Sequence, residues 1–396
     1  MTTTKTETTT AATESSPPRA ALNWVSIIVI GVTNLCALTI VPWYGIAYGY
    51  SAASWIWFAV FAIANGMSIT AGYHRLWSHR AYNAHWLVRL PLMLFGSMAL
   101  QNSILVWSSN HRVHHQHVDD NERDPYSAKR GFWFSHVGWM LRNYPSSKTD
   151  LSNVRDLQND PLVAFQHRFY LPLVLLVNFG FVLLAGWLSN DLWGVFWLAG
   201  VARIVFSHHV TWFINSLAHW WGNQPYTDKN TARDNAILAF MTYGEGYHNF
   251  HHLYANDYRN GVRWWQWDPT KWLIAGFSYT GLTSNLRRIP DVTIQQSRLA
   301  MQFQKLEQKL ANQKHRLHLH NPIDMEKLRA QLTHEAEAFR ATLAEWAKVR
   351  DAWYAEARER LMVRWEQANF RAHTREVLYR LRMQHRRLQM LNAQFA

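Results

Sequence analysis

Long apolar runs alternate with polar stretches through the first half of the chain, and a polar pattern of helical period takes over in the last quarter. Four runs have the roughly 20 apolar residues that a bilayer-crossing helix needs: 24–46, 54–73, 169–188 and 192–213. Arg203, in the last run, is the only charged residue in any of them. A fifth run, 86–107, contains Arg89, Pro91, Gln101 and Asn102. It reads as a helix lying in the membrane interface. Residues 1–22, rich in Thr, Ser and Ala with a Pro17-Pro18 step, read as a disordered tail. No secretory signal is expected, because the first apolar run starts too far in and lacks a small-residue cleavage pattern.

Residues 295–396 carry apolar side chains at steps of three and four: Leu299, Phe303, Leu306 and Leu310, then Met325, Leu328, Leu332, Phe339, Leu343, Trp346 and Trp353. That stripe is helical, with partial heptad character. Asn321-Pro322 breaks it, and Pro322 suits the first turn of a second helix. Two long helices are predicted, able to fold back as a hairpin. Their stripe packs on the chain itself or serves a homo-oligomer. The reading is an all-α integral membrane protein divided at 1–22, 23–294 and 295–396.

Charge gives this picture a direction. The chain has 396 residues, with 40 Lys and Arg against 27 Asp and Glu, a net charge of +13. Loops 47–53 and 189–191 have no Lys or Arg, whereas segment 74–168 has eleven and the chain beyond Phe213 has 26. The positive-inside rule then places segment 74–168, the C-terminal part and both termini in the cytoplasm. Basic charge without a nucleic-acid-binding motif is no argument for nucleic acid. A single cysteine, Cys36, excludes an intrachain disulfide, a thiolate zinc site and a built-in iron–sulfur centre.

The candidate chemistry lies in the histidines. There are 21, and 15 fall between His74 and His252. His74 and His79 are five apart, so on a continuous α-helix they diverge by about 140°. They face one region only if the helix ends near His74. His111, His114 and His115 share one helical face by their spacing, and His248, His251 and His252 repeat it. Asn215 and His219, four apart, share another. Imidazole is a ligand for iron, copper, zinc and nickel, and so many nitrogens are too many for one ion. Two metal ions are expected. No H-E-x-x-H occurs, and the lone E-x-x-H, Glu245 to His248, does not make a ferritin-like carboxylate site. Glu245, Asp119, Asp120, Asp124 and Asp257 read as partners for histidine N–H groups or as surface acids.

The motifs H-R-L-W-S-H (74–79), H-R-V-H-H (111–115) and H-N-F-H-H (248–252) resemble the three histidine boxes of membrane fatty acyl desaturases. Stretches 131–139 and 211–223 resemble the same family, closest to its acyl-CoA, carbon-9 (stearoyl-CoA) type. The resemblance covers about residues 24–290. It implies four membrane helices, a cytoplasmic helical cap and a di-iron centre. The implied ligands are His74, His79, His111, His114, His115, His219, His248, His251 and His252, with Asn215 reaching a metal through water. Trp212 is implied as a wall of the acyl tunnel, and Trp107, Phe213, Trp220 and Trp221 are further candidates for that wall. His117, His136, His208 and His209 are not ligands in this mapping.

Two positions depart from the animal acyl-CoA members. Their Arg-Asp pair before the second box is here Ser109-Asn110, and a later basic pair is Arg142-Asn143, leaving Arg142 as the headgroup contact. The implied reaction uses two iron ions, O2 and two electrons to set a cis double bond, at carbon 9, in a saturated acyl chain, acyl-CoA being favoured. Electrons require a separate ferredoxin- or cytochrome-type donor with its reductase, and a bacterial inner membrane is the favoured location. The alternatives are a desaturase of phospholipid- or carrier-bound chains, a related di-iron hydroxylase, or a non-catalytic lipid or metal sensor.

Overall fold

The computed structural model describes residues 20–316, 322–359 and 364–393, so the expectation for residues 1–19 lies outside it. Residues 20–22 are not a loose tail. Leu22 forms an antiparallel bridge with Arg142, Asn143 N donates to Ala21 O (2.8 Å), and Asn23 N donates to Leu141 O (3.0 Å). The chain ahead of the first apolar helix is thus stitched to the segment after Gly138.

Among the described residues, three helices are long and apolar enough to cross a membrane: α1 (Trp24–Ala47), α2 (Ala52–Ser78) and, farther on, Tyr170–Leu188. α1 starts at Asn23, whose side chain accepts from Ser26 N (3.2 Å). It buries no residue fully, the pattern of a helix whose apolar surface meets lipid. α2, at 27 residues, is longer than the roughly 20 that a bilayer needs, and His74 lies in its last turns. Those turns, Ser68–Ser78, are π-helical.

The fifth apolar run is two helices, not one interfacial helix. α3 (Trp86–Ser97) and α4 (Ile104–His117) are separated by a turn in which Leu100 (φ 56°) and Asn102 (φ 73°) adopt left-handed backbone. An α-helix cannot run through such residues. Ser103 then caps α4, accepting from Val106 N (3.4 Å).

α5 (Tyr170–Leu188) is followed by the fourth run, helical over 192–215 as α6. Arg203, His208 and His209 lower its apolar character, and it is not among the three helices that qualify by length and composition. Asp191 ties the connection to α2: its carboxylate accepts from Ser51 and Ser54 Oγ (2.5 Å each) and from Gly194 N (3.0 Å). A Cβ at Gly194 would collide with that carboxylate. Arg203 is fully buried and donates to Met98 O (2.7 Å), Asn178 Oδ1 (2.7 Å) and Ala199 O (3.2 Å). A charge in an apolar run is tolerated where its donors are satisfied inside the bundle.

After a six-residue helix, α7 (His248–Leu253), the C-terminal part forms α8 (Asp291–Arg316), α9 (Pro322–Glu359) and α10 (Arg364–Ala393). The boundary drawn at 294/295 falls inside α8. Instead of two helices the described residues form three, with α10 packed along both α8 and α9. No proline or glycine marks residues 360–363, so the pattern carries no break there. Leu299, Phe303 and Leu306 meet Leu332, Phe339 and Trp346 from α9 and Val377, Leu381, Leu388 and Leu391 from α10. The described part of the apolar stripe is therefore covered by its own chain, which leaves the oligomer reading without that part of the surface. Leu310, Met325, Leu328 and Trp353 lie outside the described side chains.

Candidate metal centre

The π-helical end of α2 changes the geometry expected of the first histidine motif. The helix does not stop at His74. It widens, and His79 N donates to His74 O (3.1 Å), a hydrogen bond across five residues. Residues five apart then lie one above the other, and the two rings sit 4.8 Å apart.

The nine histidines converge as two sets. His74, His79, His111, His115 and His251 form one, and His114, His219, His248 and His252 form the other. In the first set His251 Nε2 is 2.9 Å from both His74 Nε2 and His115 Nε2, and His79 Nε2 is 2.9 Å from His111 Nε2. In the second, Nε2 atoms follow one another from His114 to His252 (3.3 Å), to His248 (3.0 Å), to His219 (3.2 Å). The first motif stays together, whereas the second and third are split between the sets. His111 and His115 go one way and His114 the other, because neighbours on a helix diverge by about 100°.

The far nitrogens explain how several rings are aimed. His74 Nδ1 donates to Glu245 Oε2 (2.9 Å) and His114 Nδ1 to Asp124 Oδ1 (2.9 Å). His219 Nδ1 lies 2.8 Å from Thr231 Oγ1. That hydroxyl gives its single proton to Asp119 Oδ1 (2.6 Å), so it accepts from His219. In these three rings Nε2 is left as a lone pair pointing inward. Burial, followed by neighbouring imidazoles, holds His79, His111, His115, His248, His251 and His252 well below the ordinary histidine range and His219 down at about 3. Neutral rings with converging lone pairs repel unless a cation lies between them. With imidazole–metal bonds of about 2.1 Å, ligands at right angles are about 3 Å apart, which the Nε2 spacings match. The donor set therefore fits two cations, one with five nitrogens and one with four.

Glu245 is anchored in turn. Burial opposes its ionisation, and His74 and Arg75 beside it outweigh that, pushing the carboxyl down to about 2. Arg75 donates to Glu245 Oε1 (2.9 Å) and Asp268 Oδ2 (3.0 Å), and Asn260 Nδ2 donates to Glu245 Oε2 (2.6 Å). Of the five acids read as histidine partners, Glu245 and Asp124 act directly and Asp119 through Thr231. Asp257 instead holds Arg259 (2.8 and 2.9 Å), and Asp120 accepts from the exposed backbone N–H groups of Glu122 and Arg123.

A cavity of about 890 Å³ abuts both sets. His74, His111, His114 and His248 line it, as do Asn215, Trp212, Trp107 and Arg142. Trp107 stacks on His111 at 4.8 Å, and Trp212 on His208 at 5.1 Å. Arg142 borders the cavity while donating to Ala20 O (2.7 Å). Trp220 and Trp221, read as walls, are largely exposed, and Phe213 packs on His136 (4.8 Å); none of the three lines the cavity. His136 and His209 pair with each other (3.1 Å), and His208 Nε2 donates to Ala99 O (2.9 Å).

Thr231 and Tyr126 had no signal in the sequence. Tyr126 lies 3.3 Å from His111 Nδ1 by its hydroxyl and 4.4 Å from the His114 ring. Arg75 was visible inside H-R-L-W-S-H, but its role depends on acids 170 and 193 residues away.

Residues 50–284 match the profile of the fatty acid desaturase family. The chain is 40% identical over 294 residues to acyl-CoA desaturase 1 of Saccharomyces cerevisiae, covering 73% of this chain and 56% of that protein. It is 44% identical over 287 residues to a probable acyl-CoA desaturase of Schizosaccharomyces pombe, covering 72% and 58%. Human stearoyl-CoA desaturase 5 is 38% identical over 239 residues, covering 59% of this chain and 72% of that protein. The chain thus spans less than two thirds of the two yeast relatives.

Proposed function

The chain belongs to the fatty acid desaturase family, and from that premise we propose that it is an acyl-CoA desaturase acting at carbon 9 with O2, two electrons and two irons. The observation that carries this reading is the pair of histidine sets bordering one cavity of about 890 Å³. All-nitrogen ligation with positions left open suits oxygen chemistry better than a closed structural site. His74, His79, His111, His115 and His251 would hold one iron. His114, His219, His248 and His252 would hold the other, with Asn215 beside it through water. Bound there, the irons supply the oxidant that takes hydrogen from two adjacent CH2 groups.

The chain's own residues then set where that happens. Ile69, Trp107 and Trp212 wall the cavity and keep one carbon pair against the inward face of His74, His111, His114 and His248. Fixing that pair and excluding water are what the protein contributes. Glu245, Asp124 and Thr231 keep the ligand rings aimed.

Arg142 lines the cavity together with Tyr144 and Lys148, and as a cation there it takes the thioester headgroup end. Arg142→Ala is expected to raise KM for acyl-CoA about tenfold with kcat nearly unchanged, as loss of uniform binding to a charged group does. Steady-state kinetics over a range of acyl-CoA concentrations checks this, and an unchanged KM removes the assignment.

In this reading α1, α2, α5 and α6 are four spans and the histidine-bearing cap and both termini are cytoplasmic. A separate electron donor docks on the basic cytoplasmic face. The relatives come from yeasts and animals, which lends no support to a bacterial inner membrane. Expression in a host lacking the activity, followed by double-bond mapping, tests the function. A new 9-alkene in the acyl-CoA pool supports it. An alcohol points to a hydroxylase, and an alkene appearing first in phospholipid replaces the carrier.

A further inference from the structure

The nine rings are not held alike. His74, His111, His114 and His219 each have a side-chain partner for Nδ1. The Nδ1 atoms of His248, His251 and His252 are buried and have no hydrogen-bond partner. All three sit on α7, so their aim depends on where that short helix is held.

What holds α7 is a loop and the C-terminal bundle. Asp234 Oδ1 accepts from Asn249 N (2.8 Å) and Phe250 N (3.1 Å) at its start. The Asn249 side chain accepts from Tyr226 N (2.9 Å) and donates to Thr227 O (2.8 Å) and Ala232 O (2.9 Å), fastening α7 to loop 224–232. Fully buried Phe250 packs between Tyr226 and Ile294 of α8. Tyr254, just past α7, hydrogen-bonds Ser297 Oγ (2.5 Å). α8 grips the loop as well: Gln304 Nε2 donates to Asp228 Oδ2 (2.6 Å) and Lys305 Nζ to Gln224 O (2.8 Å). α9 and α10 share a core with α8. The same loop carries Thr231, the partner of His219.

Three of the four ligands in the second set therefore depend on this assembly: His219 through Thr231, and His248 and His252 through α7. In the first set only His251 does. We infer that the C-terminal three-helix bundle is a clamp that keeps the four-histidine metal position formed, acting through Ile294, Gln304 and Lys305 as positioning residues. The inference rests on the two-iron reading above.

Iron per chain, and its rate of loss to a ferrous chelator, would be followed on the full-length protein in detergent. Wild type is expected to hold two irons. In Ile294→Ala, one of the two is expected to leave about tenfold faster while the other keeps its wild-type rate, the low end of what loss of ligand support does to metal sites. Ile294→Val restores the slow rate. Gln304→Ala combined with Lys305→Ala, both changes lying on the outer surface of α8, accelerates the same single phase without opening a core. Two unchanged irons in that surface double variant, or equal acceleration of both, overturns the clamp. A wild type that never holds two irons overturns the two-iron reading instead.

Discussion

His251→Ala protein is expected to bind fewer than two irons per chain and to lose desaturation by more than about 100-fold. The floor is set by partners one step farther out, whose loss alone weakens metal binding or activity by 10–100-fold. His251 is the hub of the five-nitrogen set, 2.9 Å from His74 and from His115. His114→Ala removes one end of the four-nitrogen set. The two variants are expected to retain different irons, separable by their rates of release to a chelator. Iron analysis with product analysis is the check, and full metal occupancy with wild-type desaturation in either variant would sink the ligand assignment.

Glu245→Ala carries the next largest effect, and it reaches the fold before the chemistry. Arg75 is 1% exposed and shares its charge between Glu245 and Asp268. Removing one member of a buried ion group leaves an uncompensated charge and costs about 3–5 kcal/mol. His74 loses the acceptor that orients it in the same step. A clear fall in the thermal midpoint of detergent-purified protein is expected, together with weakened iron binding. Glu245→Gln keeps one oxygen, able to accept from either His74 or Arg75 but not both, which bind different oxygens of the carboxylate, and should recover part of the loss. A midpoint unchanged in the alanine variant would mean that Arg75 is satisfied without Glu245.

Local spacing made the histidines legible. H-x-x-H-H places three rings on one side of a helix whatever surrounds it, and Asp124 lies close in sequence to His114, the ring it serves. Glu245 stands beside the third motif in sequence, yet the ring it holds is His74 of the first. Thr231 was invisible because its link to His219 needs Asp119, 112 residues away, to take its proton. The third helix of the C-terminal bundle was missed because helical period continues across residues 360–363 without a breaking residue. The tryptophans were harder still. Trp107 and Trp212 line the cavity while Trp220 and Trp221 face outward, although an aromatic side chain suits either place.

The sequence by itself determined that this chain carries membrane-length apolar runs, Lys and Arg concentrated outside them, and enough clustered imidazole for two metal ions. These follow from composition and from interactions within a few residues. Only the tertiary structure decided which ring joins which set. His114 and His115 are neighbours in the chain and belong to different sets, because a helix turns about 100° per residue and each ring meets whichever other helix lies in its direction. The pairing of His74 with His79 likewise required a π-helical turn in place of a helix end. Long-range packing chose that turn, and no spacing rule contains it.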